Sequence, residues 1–104
     1  MKKLIVGIFA IIMLAQVALA AKGIVVLKKS GCDYYIVETT LGFALLEWYG
    51  GNDPDVGDTI VGDFESYGIK TIYNLTRDAE TRVWVEDFWL SKSSAIEKYY
   101  EQCN

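Results

Sequence analysis

GIVVLKKSGCDYYIVETTLGFALLEWYGG, residues Gly23–Gly51, consists of three apolar runs cut by two turns, and it decides the fold class. Gly23–Lys29 is rich in β-branched residues, Ser30-Gly31 is a turn signal, and Asp33–Thr39 returns as a second run of Tyr, Ile, Val and Thr. Runs of this kind joined by a short turn read as antiparallel strands. Leu41-Gly42 punctuates again. Phe43–Tyr49 contains Ala, Leu and Glu, which suit a short helix as well as a strand, and its position between other strands favours a third strand.

On the C-terminal side, Gly50–Asp55 is the clearest loop and holds the only proline, Pro54. Val56–Phe64 carries V-G-D twice; the first Gly-Asp opens a strand, and Gly62 reads as a bend or bulge that lets a small sheet coil. Ser66-Tyr67-Gly68 turns into Ile69–Leu75, in which Ile69, Thr71, Tyr73 and Leu75 alternate with Lys70, Ile72 and Asn74. Thr76–Glu80 then closes a hairpin onto Thr81–Leu90. In the last segment, Ser94-Ala95-Ile96-Glu97 fits a capping box and predicts a helix over residues 95–102, with Ile96, Tyr99, Tyr100 and Cys103 as its buried stripe. Five or six short strands followed by one short helix predict an all-β domain. The expected form is a small closed or nearly closed barrel of the OB or SH3-like kind, with a sandwich as the rival.

On the N-terminal side, Met1-Lys2-Lys3 is a basic head, Leu4–Ala15 is almost wholly apolar, and Ala18-Leu19-Ala20 places small residues at −3 and −1 before Ala21. This is the three-part pattern of a secretory signal peptide, cleaved after Ala20. The alternative is a retained anchor over Leu4–Ala21, about long enough to cross a bilayer. Cleavage predicts one domain over residues 21–104, working in the periplasm or outside the cell. Loss of Lys2 and Lys3 takes the formal charge from −4 to −6. An exported acidic domain is a poor partner for nucleic acid or an anionic membrane, since both attract a surplus of Lys and Arg.

Cys32 and Cys103 are the only cysteines, 71 positions apart, and export predicts that they form a disulfide. The chain has no histidine, no CxxC and no Gly-rich phosphate loop, so thiol catalysis, a zinc site and phosphate chemistry all lack their parts. Carboxylate pairs such as Asp63 with Glu65, or Glu86 with Asp87, are the remaining catalytic option. Strand neighbours such as Glu86 and Asp87 diverge across a sheet, and a barrel of this size offers little cleft to raise a carboxyl, so the expectation is a non-enzyme with no cofactor and no metal. Asp53, Asp55 and Asp58 form an acidic loop whose spacing does not match an EF-hand and which reads as solvated turn. Asn74-Leu75-Thr76 matches the glycosylation sequon, a frequent chance tripeptide.

The candidate binding residues are aromatic. In a regular strand Arg82, Trp84, Glu86 and Phe88 share one face and Val83, Val85 and Asp87 the other, so an aromatic must stand beside a carboxylate at the surface. Adjacent rings in Tyr34-Tyr35 and Trp48-Tyr49 point to opposite faces. Trp84, Glu86, Phe88, Trp89, Trp48 and Tyr35 are therefore the expected surface, against the simpler reading that these rings fill the core of a small domain. The expected function is an exported non-catalytic module that holds a protein or glycan partner. A secreted inhibitor of an extracellular hydrolase and an anchored envelope component are the alternatives.

Overall fold

The computed structural model describes residues 20–103. The signal-peptide and anchor readings rest on residues 1–19, outside the described residues. Six strands form a closed antiparallel barrel: β1 (Ala21–Lys28), β2 (Tyr34–Thr39), β3 (Gly42–Gly51), β4 (Thr59–Gly62), β5 (Gly68–Asn74) and β6 (Ala79–Leu90). The order around the barrel is β1-β2-β3-β6-β5-β4, with β4 also paired to β1, so two three-stranded meanders join along both sides. Closure on both sides rules out the sandwich. A helix, α1 (Lys92–Gln102), follows β6 directly.

Two apolar clusters result. The barrel interior is built from alternate residues of every strand, among them Val25, Tyr35, Val37, Leu46, Ile60, Ile72, Val83 and Val85, with Phe64 inserted from the loop after β4. Outside the barrel, Ile36 and Leu45 are covered by Ala95 and Tyr99 of α1, with Leu27, Tyr34, Phe43 and Leu90 at the margin. β2 serves both clusters by plain alternation: Tyr35 and Val37 point in while Tyr34 and Ile36 point toward the helix. In β1 a bulge at Val26 makes the switch, since Val25 pairs with Val37 and Leu27 with the adjacent Ile36.

β4 ends where Gly62 crosses β5, and a Cβ there would lie 2.4 Å from Ile72 Cγ2. That close approach is what the glycine permits. β5 inverts the face suggested by its alternation: Ile72 and Asn74 point inward, whereas Ile69 and Thr71 are exposed. The interior therefore ends in a polar layer. Asn74 is fully buried and donates to Asn52 Oδ1 at 2.8 Å and Asp58 Oδ2 at 2.9 Å, so its amide is committed within the fold.

The helix starts earlier than expected. Ser91 is the cap, its hydroxyl accepting from Ser94 N–H at 3.2 Å, and Ser94 lies in the first turn. Three serines compete for the role, and the one that follows Leu90 is set in extended geometry by the strand before it. The buried stripe is likewise Ala95 and Tyr99, whereas Ile96 and Tyr100 are 38% and 41% exposed. Cys32 and Cys103 are bonded with their Cα atoms 5.7 Å apart, which ties the end of α1 to the β1–β2 turn and suits an oxidising compartment.

Candidate functional site

The aromatic segment of β6 departs from regular geometry twice. Leu46 pairs with Val85 and Leu45 with Asp87, leaving Glu86 as an extra residue; Leu45 and Phe43 then pair with Asp87 and Leu90, so Phe88 and Trp89 together face one residue of β3. Residues 88 and 90 would share a face in a flat strand. Here Phe88 packs on the barrel interior and Leu90 on the helix-covered cluster. The reversal occurs at Trp89, whose φ is 57°, in the left-handed region. Gly42 makes room for it: a Cβ at Gly42 would sit 2.9 Å from Leu90 O and 3.1 Å from Trp89 C.

The result is an aromatic platform at one mouth of the barrel. Phe88 is flanked by Tyr67, with ring centroids 4.8 Å apart and planes inclined at 53°, and by Trp89, 5.0 Å away at 85°. Tyr67 is 63% exposed and Trp89 60%. Both outer rings are held at their polar ends. Trp89 Nε1–H donates to Glu65 Oε2 at 2.7 Å, and the Tyr67 hydroxyl donates to Asp87 Oδ1 over a longer 3.4 Å. Asp87 also accepts the Phe88 N–H at 2.9 Å and faces Lys98 Nζ of α1 at 3.5 Å. One carboxylate thus links the loop, the bulged strand and the helix.

The six expected binding residues are not gathered in one place. Phe88 and Trp89 form the platform with Tyr67. Trp84 is half-buried on the outer face, between its cross-strand partners Ile69 and Glu47. Glu86, the bulge residue, is half-buried near Tyr34, whose phenol is pushed up to about 12 by burial first and then by the Glu47 and Glu86 carboxylates. Trp48 packs on the barrel interior and donates Nε1–H to Asn52 O at 3.1 Å. Tyr35 is fully buried in the barrel and offers no surface; its partner ring Tyr34 lies beside the helix cluster, so neither of that pair is free. β2 is covered inside by the barrel core and in part outside by α1, which leaves Tyr34 half-buried and Tyr35 without surface.

Tyr67, Glu65 and Asp87 were not among the expected binding residues. Tyr67 reads in sequence as a turn residue, and the available signal was its position between Ser66 and Gly68, where no strand alternation could turn a ring inward.

The carboxylates of Asp53, Asp55, Asp58 and Asp63 are engaged locally. Asp53 pairs with Lys28, and Asp55 with Arg77. Asp58 accepts from Asn74 and from Asp55 N–H, with Arg77 Nε at 3.5 Å. Burial alone would raise the Asp58 carboxyl, but the Asn74 and Asp55 hydrogen bonds and the charges of Arg77 and Lys28 hold it below the usual range. Asp63 is lowered in the same way, against its burial, by Ser66, Lys70 and the Glu65 N–H. Among the described residues no three His, Cys, Asp or Glu side chains are grouped to hold a metal ion. No family model, curated protein or solved structure matches the chain.

Proposed function

We propose that the protein is exported and that residues 21–104 act as a non-catalytic binding module, holding a protein or glycan partner on the Tyr67–Phe88–Trp89 platform. The observation that carries this reading is Trp89: an exposed tryptophan in a left-handed backbone conformation, fixed at its indole nitrogen by Glu65. Left-handed geometry at a bulky residue costs about 1–3 kcal/mol and persists where the surroundings enforce it, commonly at ligand sites. A ring kept out in water by two fixed contacts contributes little to the core. It is well placed to contribute to a complex, because aromatic anchors dominate binding energy at interfaces.

A non-catalytic role for the Asp63–Glu65 pair is supported by the state of Asp63. General acid catalysis near neutral pH needs a carboxyl raised toward 6–7, and Asp63, in the pair with Glu65, is instead lowered by Lys70 and Ser66. Export is supported by the bonded Cys32 and Cys103 together with the Met1–Ala20 pattern.

The test is affinity capture from envelope or extracellular extract, using the wild type, Trp89→Ala, Tyr67→Ala and Tyr49→Ala. Tyr49 is 52% exposed and is the extra residue of a separate bulge in β3, where Trp48 pairs with Val83 and Gly50 with Arg82. The expected result is one set of partners retained by the wild type and Tyr49→Ala and lost by the two platform variants. Equal capture by all four removes the platform as the site.

A further inference from the structure

We infer that the platform recognises a cation, the ammonium or guanidinium group of a basic segment presented by a protein partner. This rests on the binding-module reading and names the chemistry of the same surface. Shape is the first reason. A sugar ring stacks best on one flat aromatic face, whereas Tyr67 and Trp89 are inclined to Phe88 at 53° and 85° and form a corner. A compact positive group needs only one exposed ring face, such as that of Trp89 or Tyr67, whose negative quadrupole attracts it.

The hydrogen bonds are the second reason. Trp89 N–H donates to the Glu65 carboxylate at 2.7 Å, whereas the Tyr67 O–H contact with Asp87, at 3.4 Å, is too long to polarise its ring strongly. A donor bonded to an anion is strongly polarised, and the electron density it gains spreads into its π system, making the ring face more attractive to a cation. Neutral stacking gains little from this. The same fold already makes one such contact, with Lys29 Nζ 4.7 Å from the Tyr100 ring centroid.

Charge complementarity is the third reason. Glu65 and Asp87 touch the platform rings and Asp63 lies in the same loop as Tyr67, against Lys70 on Asp63 and Lys98 on Asp87. The chain as a whole carries a formal −4, which becomes −6 without Lys2 and Lys3. An excess of negative charge steers a basic segment toward the surface and repels an acidic one.

The experiment follows the indole N–H resonance of Trp89 in the purified exported protein, assigned by its loss in Trp89→Phe. Three probes are titrated: a capped peptide carrying arginine and lysine, the same peptide with citrulline and norleucine in their place, and neutral cellotetraose. The expected result is a shift with the basic peptide alone, weakened at higher salt. Glu65→Gln, which keeps an acceptor and removes the charge, should weaken binding about two- to fivefold. Trp89→Phe, followed through the Tyr67 ring resonances, should weaken it similarly while the ring remains. A response to cellotetraose without one to the basic peptide overturns the inference and leaves the platform standing as a glycan site. No response to any probe also overturns it, and capture by Trp89→Ala then decides the platform separately. Retained chemical-shift dispersion in each variant shows that it is folded.

Discussion

At Gly42 and Trp89 two backbones meet in a space that has no room for a Cβ. Gly42 has φ 135° and its missing side chain would press on Leu90 O and Trp89 C, so the strained turn at Trp89 depends on a residue 47 positions earlier. Gly42→Ala should therefore destabilise the domain by about 1–3 kcal/mol, through strain and backbone contact together. A shifted urea midpoint accompanied by a moved Trp89 indole resonance checks it; an unmoved resonance would mean that Gly42 does not position the platform. Asn74 is the second position where one side chain matters. It supplies a buried amide to Asp58, so Asn74→Ala should cost about 1–3 kcal/mol and raise the pH of acid unfolding. The sign follows from linkage. Asp58 and Asp63 lie below the reference value of 3.8 in the fold, so their contribution is complete above that pH and is lost as pH falls through the lower folded values. Tyr34 acts at the other limit: its phenol is raised from 10.0 to about 12, so its contribution is complete below pH 10 and is lost as pH rises through 12. These shifts should make stability fall on the acid side of the first limit and on the alkaline side of the second. In Tyr34→Phe the alkaline fall should be shallower, and an unchanged alkaline limb would remove Tyr34 from this account.

Among the elements, the strands were legible in the sequence and their phases were not. Turn residues at 30–31, 41–42, 50–55 and 76–80 each overlap a break between strands, because Gly, Asp, Asn and Pro act through local dihedrals, although Gly42, Gly50, Gly51, Ala79 and Glu80 themselves belong to β3 and β6. Which face each strand presents is set by pairing, and a single extra residue reverses it. Bulges at Val26, Tyr49 and Glu86 do this, and only the one at Tyr49 lies beside a glycine, Gly50. Strict alternation consequently groups Phe88 with Trp84 and Glu86, when Phe88 belongs to the interior side. The same limit applies to α1, where Ser91, Ser93 and Ser94 are equivalent by type and only the end of β6 selects Ser91. Ser91→Ala should cost about 1 kcal/mol and Ser94→Ala markedly less. Thermal unfolding of the two variants compares them directly, and a larger loss at Ser94 would return the cap to the position that the capping-box pattern favours.

For the whole molecule, two separate apolar clusters decide how the disulfide acts. Closing a loop over a separation of 71 residues contributes about 4 kcal/mol on the chain-entropy estimate, a large share for a domain of this size. Its position is uneven. The barrel cluster contains no residue of α1, whereas the outer cluster depends on Ala95 and Tyr99. Beyond that contact the helix is held by the Ser91 cap, the Lys29 N–H bond to the Tyr99 hydroxyl at 2.8 Å, and the Cys32–Cys103 bond at its C-terminal end. Replacing both cysteines by serine should lower global stability by up to about 4 kcal/mol, and hydrogen exchange should show α1 losing protection before β2 and β3. The platform stands on β6 and the loop before β5, outside the helix, and is tied to α1 by the ion pair of Lys98 with Asp87. Partner capture by the cysteine-free protein should accordingly persist under conditions where the helix is already open. Simultaneous loss of helix protection, strand protection and capture would show instead that barrel, helix and platform form one cooperative unit, with the disulfide supporting all three.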